Sequence, residues 1–191
     1  MGRALKHHRQ LREEPLVDYF IITQDNRIMD RFELVNISKS MFAELSSEGE
    51  EPMQFFIKEN SRKDYVDFTD RPVILVSDRF KEVLEIYCEQ TVYFPVVLFE
   101  IKRDVQKLYW YLKPPKVDCL SEQTEFHKNG TLKRLVIKPD LAAGHRVFQI
   151  DRILENYMVI DLMVLESLLR RGYIGFRPEL IEIESEAMEA L

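Results

Sequence analysis

The sequence predicts an α+β fold: a mixed, mainly antiparallel sheet with a few packed helices and two strand-cap-helix units. Two segments, VILVSDRFKEVLEIY (Val73–Tyr87) and MVIDLMVLESLLRR (Met158–Arg171), make the same change of pattern. Each opens as a continuous apolar run and then spaces its apolar residues every third or fourth position, which marks a strand running into a helix. Around them lie short β-branched and aromatic runs bounded by polar turns, the mark of strands joined by tight connections.

Taken in order, residues 1–14 form a charged leader, predicted as a loose tail or a short amphipathic helix. Its adjacent His7 and His8 make a poor metal cage on such a tail. Pro15 ends it. DYFIIT (18–23), FELVNI (32–37) and MQFFIK (53–58) are predicted strands, with Gln24-Asp25-Asn26 as a turn. Ser38 and Ser40 are candidate caps for a short helix in MFAELSS. Glu48–Pro52 is an acidic loop, and ENSRKD (59–64) is turn-like.

In the first unit VILV is the strand. Ser77 caps the helix by accepting a bond from an orphan backbone N–H, and Asp78 suits the positive end of the helix dipole. Phe80, Val83, Leu84 and Tyr87 share one face of the helix. TVYFPVVLFEI (91–101) is a long β run in which Pro95 requires an edge, a bulge or a bend. LYWYL (108–112) pairs with it as a hairpin, and Pro114-Pro115 ends that strand. LKRLVI (132–137) and RVFQI (146–150) are strands flanking the loop KPDLAAGH.

In the second unit YMVI (157–160) is the strand, Asp161 the cap, and Leu162, Leu165, Leu168 and Leu169 the apolar face. Arg170 and Arg171 suit the helix C-terminus and Gly172 stops it in left-handed geometry. YIGFRPELIEIE supplies a turn and a closing strand, and the acidic tail 185–191 ends the chain. The two units read either as an internal duplication or as two copies of a common supersecondary device. Residues 15–184 are predicted as one domain.

Composition narrows the function classes. The net charge is −6 and no dense Lys/Arg run occurs, which argues against nucleic acid as a partner. No apolar stretch reaches the roughly 18 residues of a membrane span, and residues 1–15 lack the apolar run of a signal peptide. Gly2 is followed at position 6 by Lys rather than Ser or Thr, a poor match to myristoylation. With only 2 cysteines, Cys88 and Cys119, the expectation is a reduced, soluble, cytoplasmic protein.

The search for chemistry finds no glycine-rich phosphate loop, no HExxH, no GxSxG and no CxxC. No catalytic, cofactor-binding or metal-binding residue is assigned. Cys119 with His127 is a candidate thiol–base pair; such a pair needs a third group to orient the base, and nothing nearby is a clear orienter beyond Asp118 and Glu125, which read equally as solvated. His145 reads as a structural hydrogen-bonding residue. Ser77 resembles a nucleophile at a strand-to-helix corner, but the flanking glycines are absent and capping explains it. Six residues are candidates for contact with a protein partner. Glu48, Glu50 and Glu51 form an acidic loop, Glu182 and Glu184 share one face of a strand, and Trp110 lies opposite Tyr109 and Tyr111. Solvated charge and core packing are the plainer roles for them. An exposed apolar edge near Tyr93–Phe99 is a further candidate, for a homodimer or scaffold.

The order of these motifs resembles a bacterial family of immunity proteins from polymorphic toxin systems. The likeness is carried by VILVSDRFKEVLEIY, LYWYLKPPKVDCLSEQ, LVIKPDLAAGHRVFQI and the closing NYMVIDLMVLESLLRRGYIGFRPELIEIE. Within the last stretch, Gly172-Tyr173-Ile174-Gly175-Phe176 matches the family's helix-Gly-x-x-Gly-Phe segment, and Val117–Glu122 its mid-domain segment. The resemblance spans residues 72–184 and extends more loosely over 15–71. Asp161 stands where the family pattern usually has Ser; both residues cap helices. The resemblance implies a cytoplasmic protein that binds and neutralises a cognate protein toxin. It carries over no catalytic residue.

Overall fold

The computed structural model describes residues 17–29, 31–35, 37, 39–42, 51–58 and 65–184. The leader, most of MFAELSS, Glu48, Glu50, ENSRKD and the acidic tail lie outside the described residues. The elements are β1 (Tyr19–Gln24), β2 (Leu34–Val35), β3 (Met53–Ile57), β4 (Phe68–Thr69), β5 (Leu75–Ser77), α1 (Asp78–Tyr87), β6 (Val92–Glu100), β7 (Val105–Lys113), β8 (Lys116–Val117), β9 (Glu125–Phe126), β10 (Leu132–Arg134), β11 (Val136–Ile137), α2 (Pro139–Ala142), β12 (Val147–Ile150), β13 (Met158–Asp161), α3 (Leu162–Arg170), β14 (Phe176–Leu180) and β15 (Glu182–Ile183). The fold is mixed α+β with antiparallel pairs predominating, and β3–β6, β8–β12 and β11–β15 are parallel.

Both predicted caps form. Ser77 is extended, and its Oγ accepts from the Phe80 N–H. Asp161 is extended too, and its carboxylate accepts from the Val164 N–H at 2.8 Å. α1 buries Phe80, Val83 and Leu84, and α3 buries Val164, Leu165 and Leu168. Full burial of an aromatic or leucine side chain contributes about 2 kcal/mol. Leu169, placed by spacing on the apolar face of α3, is 55% exposed. Gly172 takes the left-handed conformation that ends α3 (φ +67°).

Two main sheets hold these helices. One runs β14-β1-β13-β12-β8, the other β2-β3-β6-β7-β5-β4. α1, α3 and one face of each sheet share a single core, in which Ile22, Met158 and Ile160 meet Phe68, Val76 and Leu112 through Phe80, Leu84 and Leu168. Separate cores cover the outer faces, around Phe148 and Ile137 on the first sheet and around Phe42 and Leu98 on the second.

The likeness of the two units extends past the strand, cap and helix. Four neighbouring strands of one sheet, β6-β7-β5-β4, correspond in order to β14-β1-β13-β12 of the other. Every adjacent pair in both sets is antiparallel. In each set the third strand leads into a helix, which leads into the first strand. The backbone repeats the match: Ser77 N–H donates to the Asp67 carbonyl and Asp161 N–H to the Arg146 carbonyl, each acceptor standing just before β4 or β12. The place of β7 in the second sheet is taken by β1, from the opposite end of the chain. The two units therefore share strand order and pairing sense as well as capping.

Several expected strands change on pairing. LKRLVI divides at Leu135, because β10 pairs with β9 while β11 pairs with β15. Part of KPDLAAGH winds into α2, with Pro139 in its first turn. Pro95 neither bends nor ends β6. It stands opposite Trp110 of β7, and β3 pairs only with Val96–Phe99, so the proline falls beyond the second neighbour. From Val96 to Phe99 the segment is therefore not a sheet edge, since β6 lies there between β3 and β7, while Tyr93–Pro95 run past the end of β3. What it leaves open is a face.

Candidate functional site

The strand-to-helix corner of the first unit holds a carboxylate that four donors converge upon. Asp67 has a side chain 3% exposed. Its Oδ1 accepts from Ser77 Oγ and Arg79 Nε, both at 2.7 Å. Its Oδ2 accepts from Arg79 Nη2 at 2.7 Å and from the Ile174 N–H at 2.9 Å. Burial alone would push the Asp67 carboxyl upward, but the bonds from Arg79, Ile174 and Ser77 outweigh it and hold it below the ordinary value. Ser77 thus donates to a carboxylate that is already saturated, and no imidazole takes part. The corner is a clamp between the halves of the molecule. Tyr173 completes it, donating from its hydroxyl to the Arg79 carbonyl at 2.9 Å with the Arg79 guanidinium over its ring. Gly175 lies against Val66 and the Phe68 carbonyl. The Gly-Tyr-Ile-Gly-Phe segment that carries the family resemblance is the piece that locks the second unit onto the first.

Cys119 is fully buried among Ile137, Phe148 and Val117, and burial pushes its thiol up to about 11. His127 sits exposed beside the turn that joins β9 to β10. A reactive thiol needs an environment that favours the thiolate, and this one favours the neutral form. Among the described residues no group of three or more His, Cys, Asp or Glu is arranged to hold a metal ion.

The acidic candidates separate. Glu182 pairs with Arg134, and Glu184 accepts from Ser121 Oγ at 2.7 Å, so both are engaged within the chain. Glu51 is exposed just ahead of β3, while Glu48 and Glu50 lie outside the described residues.

Trp110 leads to a surface. Alternation sends Tyr109 and Tyr111 to one face of the six-stranded sheet, where they join the Phe42 core, and Trp110 to the other. There α1 meets it: Trp110 Nε1 donates to Asp78 Oδ1 at 2.8 Å, and Lys81 Nζ stands 4.5 Å from the ring centre. α1 packs over β5 and β7 on this face, and its Lys81 reaches Tyr93 near the start of β6. Beyond Trp110 the same face continues through Pro95, Val97 and Phe99 of β6, Leu108 of β7 and Gln54 and Phe56 of β3, as the register requires. Phe56 is 50% exposed and Leu108 43%. Phe56 and Phe99 pack with tilted rings whose centres are 6.0 Å apart. None of these side chains is charged. Contiguous exposed apolar surface is a feature that protein contact sites share.

Of the six predicted contact residues, the structure thus brings Trp110 to this face and Glu51 to the start of a strand that forms it. Phe56 and Leu108 escaped the sequence reading, and Val97 and Phe99 entered it only as part of the candidate apolar edge Tyr93–Phe99. The signal for Phe56, Val97 and Phe99 was present in MQFFIK and TVYFPVVLFE, which are apolar at both strand parities, but two-sided apolar strands are equally read as fully buried. No protein-family model and no curated protein matches the chain.

Proposed function

We propose that this chain is an immunity-type binding protein that neutralises a cognate bacterial protein toxin in the cytoplasm, by direct binding and occlusion. The observation that carries the reading is the uncovered, uncharged sheet face beside Trp110. A sheet face is normally covered by a further layer, and among the described residues none covers half of this one. The family-like motifs supply the kind of partner; they are the framework that positions this face. The net charge of −6 suits a protein partner with a basic surface better than a nucleic acid. The burial of Cys119 weighs against a thiol enzyme.

The test is co-expression with the toxin encoded beside the gene. The expected result is rescue of growth together with co-purification as a stoichiometric complex. Absence of both overturns the proposal.

A further inference from the structure

The open face has a charged border on one side. On α1, Asp78, Lys81, Glu82 and Glu85 recur at i, i+3, i+4 and i+7 and so share one stripe. The contacts of Asp78 and Lys81 with Trp110 aim this stripe at the open half of the sheet. Lys81 is held by Glu85 at 2.5 Å and lies 5.0 Å from the Tyr93 ring centre. Three carboxylates stand against one ammonium, and that ammonium is engaged. Across the face, Lys58 is paired with Glu33 at 3.0 Å, and at the β6–β7 turn Arg103 is paired with Glu100 at 3.2 Å. Among the described residues the unbalanced charge around the apolar centre is negative.

The width of the opening is also informative. The open strip is formed mainly by β6 and β3, and two strands span about 10 Å. Packed helices lie about 8–10 Å apart. One helix laid beside α1 therefore continues the layer that α1 begins.

We infer that the docking surface is this strip, Phe56, Val97, Phe99, Leu108 and Trp110, and that it receives an amphipathic helix of a partner protein whose apolar face is flanked by lysine or arginine. The inference rests on the protein-binding reading above and adds to it the surface and the chemistry of the partner. Cationic flanks meet Asp78 and Glu82, while the apolar side chains displace water from the strip. A second copy of this chain would bring the same excess of carboxylates to the border, which disfavours self-association there.

Trp110 is the only tryptophan, so its fluorescence reports on this surface alone. The probe is a lysine–leucine peptide patterned as an amphipathic helix, compared with a glutamate–leucine peptide of the same pattern. The expected result is a saturable blue shift of Trp110 emission, with protection from acrylamide, by the lysine peptide. Affinity for the glutamate peptide should be at least about ten-fold lower. Leu108→Arg, at an exposed site, should abolish the response; Leu169→Arg, exposed on α3, should leave it intact. Equal responses to the two peptides, no response, or a response unchanged by Leu108→Arg overturns the inference. A shift of Trp110 emission with protein concentration alone assigns the strip to a second copy and overturns it as well. The co-expression assay separates the two proposals. Rescue undiminished in Leu108→Arg removes the surface and keeps the function, whereas failure of rescue by the native chain removes the function and leaves the peptide arms to decide the surface.

Discussion

Arg79 forks its guanidinium onto Asp67, with Nε on one carboxylate oxygen and Nη2 on the other, each at 2.7 Å. The pair is asymmetric in exposure: the Arg79 side chain is 58% exposed and that of Asp67 is 3%. Arginine can return to water if its partner is lost, but the Ile174 N–H and the Ser77 hydroxyl would lose an acceptor inside the clamp. Asp67→Ala is therefore expected to cost about 2–3 kcal/mol through the donors it leaves unsatisfied, and Arg79→Ala also destabilises by leaving a buried carboxylate short of its cation. Urea midpoints of both variants test this; an Asp67→Ala midpoint within error of the native protein would refute the clamp.

The same carboxylate sets a pH dependence. Its folded pKa lies below the unfolded value of about 3.9. The stabilisation is therefore fully present above about pH 4 and is lost as pH falls through the lower folded value. Asp67→Asn should be less stable at neutral pH and should lose less further stability on acidification. Urea unfolding at a series of pH values gives the comparison. An acid limb as steep as that of the native protein would show that Asp67 does not contribute to it.

Two glycines of the closing segment should respond differently to alanine. At Gly175, with φ +100°, an added Cβ would stand 2.6 Å from Val66 Cβ and 2.7 Å from the Phe68 carbonyl oxygen. At Gly172, with φ +67°, it would meet nothing within 4 Å. Gly172→Ala should cost about 1 kcal/mol for the left-handed backbone alone. Gly175→Ala should cost about 3 kcal/mol, since backbone and a β-branched side chain must both move. Thermal melts of the two variants rank them, and equal shifts would contradict the close approach.

Cys119 should resist alkylation at neutral pH. Its burial and its thiol pKa near 11 both suppress the thiolate, whereas Cys88 is only half-buried. Mass spectrometry after iodoacetamide treatment should find Cys88 modified first and Cys119 modified only with denaturant. Rapid labelling of Cys119 in the folded protein would reopen the case for a thiol enzyme.

Of the candidate site, Trp110 was legible in the sequence, because alternation along LYWYL separates it from its two tyrosine neighbours. Its surroundings were not. Whether an apolar residue at a given strand parity is core or surface depends on which helix lies over it, and α1 covers Leu112 but stops short of Leu108. The acidic strand residues were misleading for the same reason: Glu182 and Glu184 look like free charge until Arg134 and Ser121 fold against them.

The sequence by itself determined the local devices. Ser77 and Asp161 cap, Gly172 stops α3, and β6 and β7 form a hairpin, because each depends on residues close along the chain. Only the tertiary structure decided what those devices serve. The bond from Ile174 to Asp67 spans 107 positions. β1 enters the second sheet between β13 and β14, far along the chain from both. Such pairings are selected by the simultaneous burial of faces that each strand offers to many partners, and no short window of sequence contains that choice. The same competition left one sheet face half covered among the described residues, and the proposed docking surface lies on that open half.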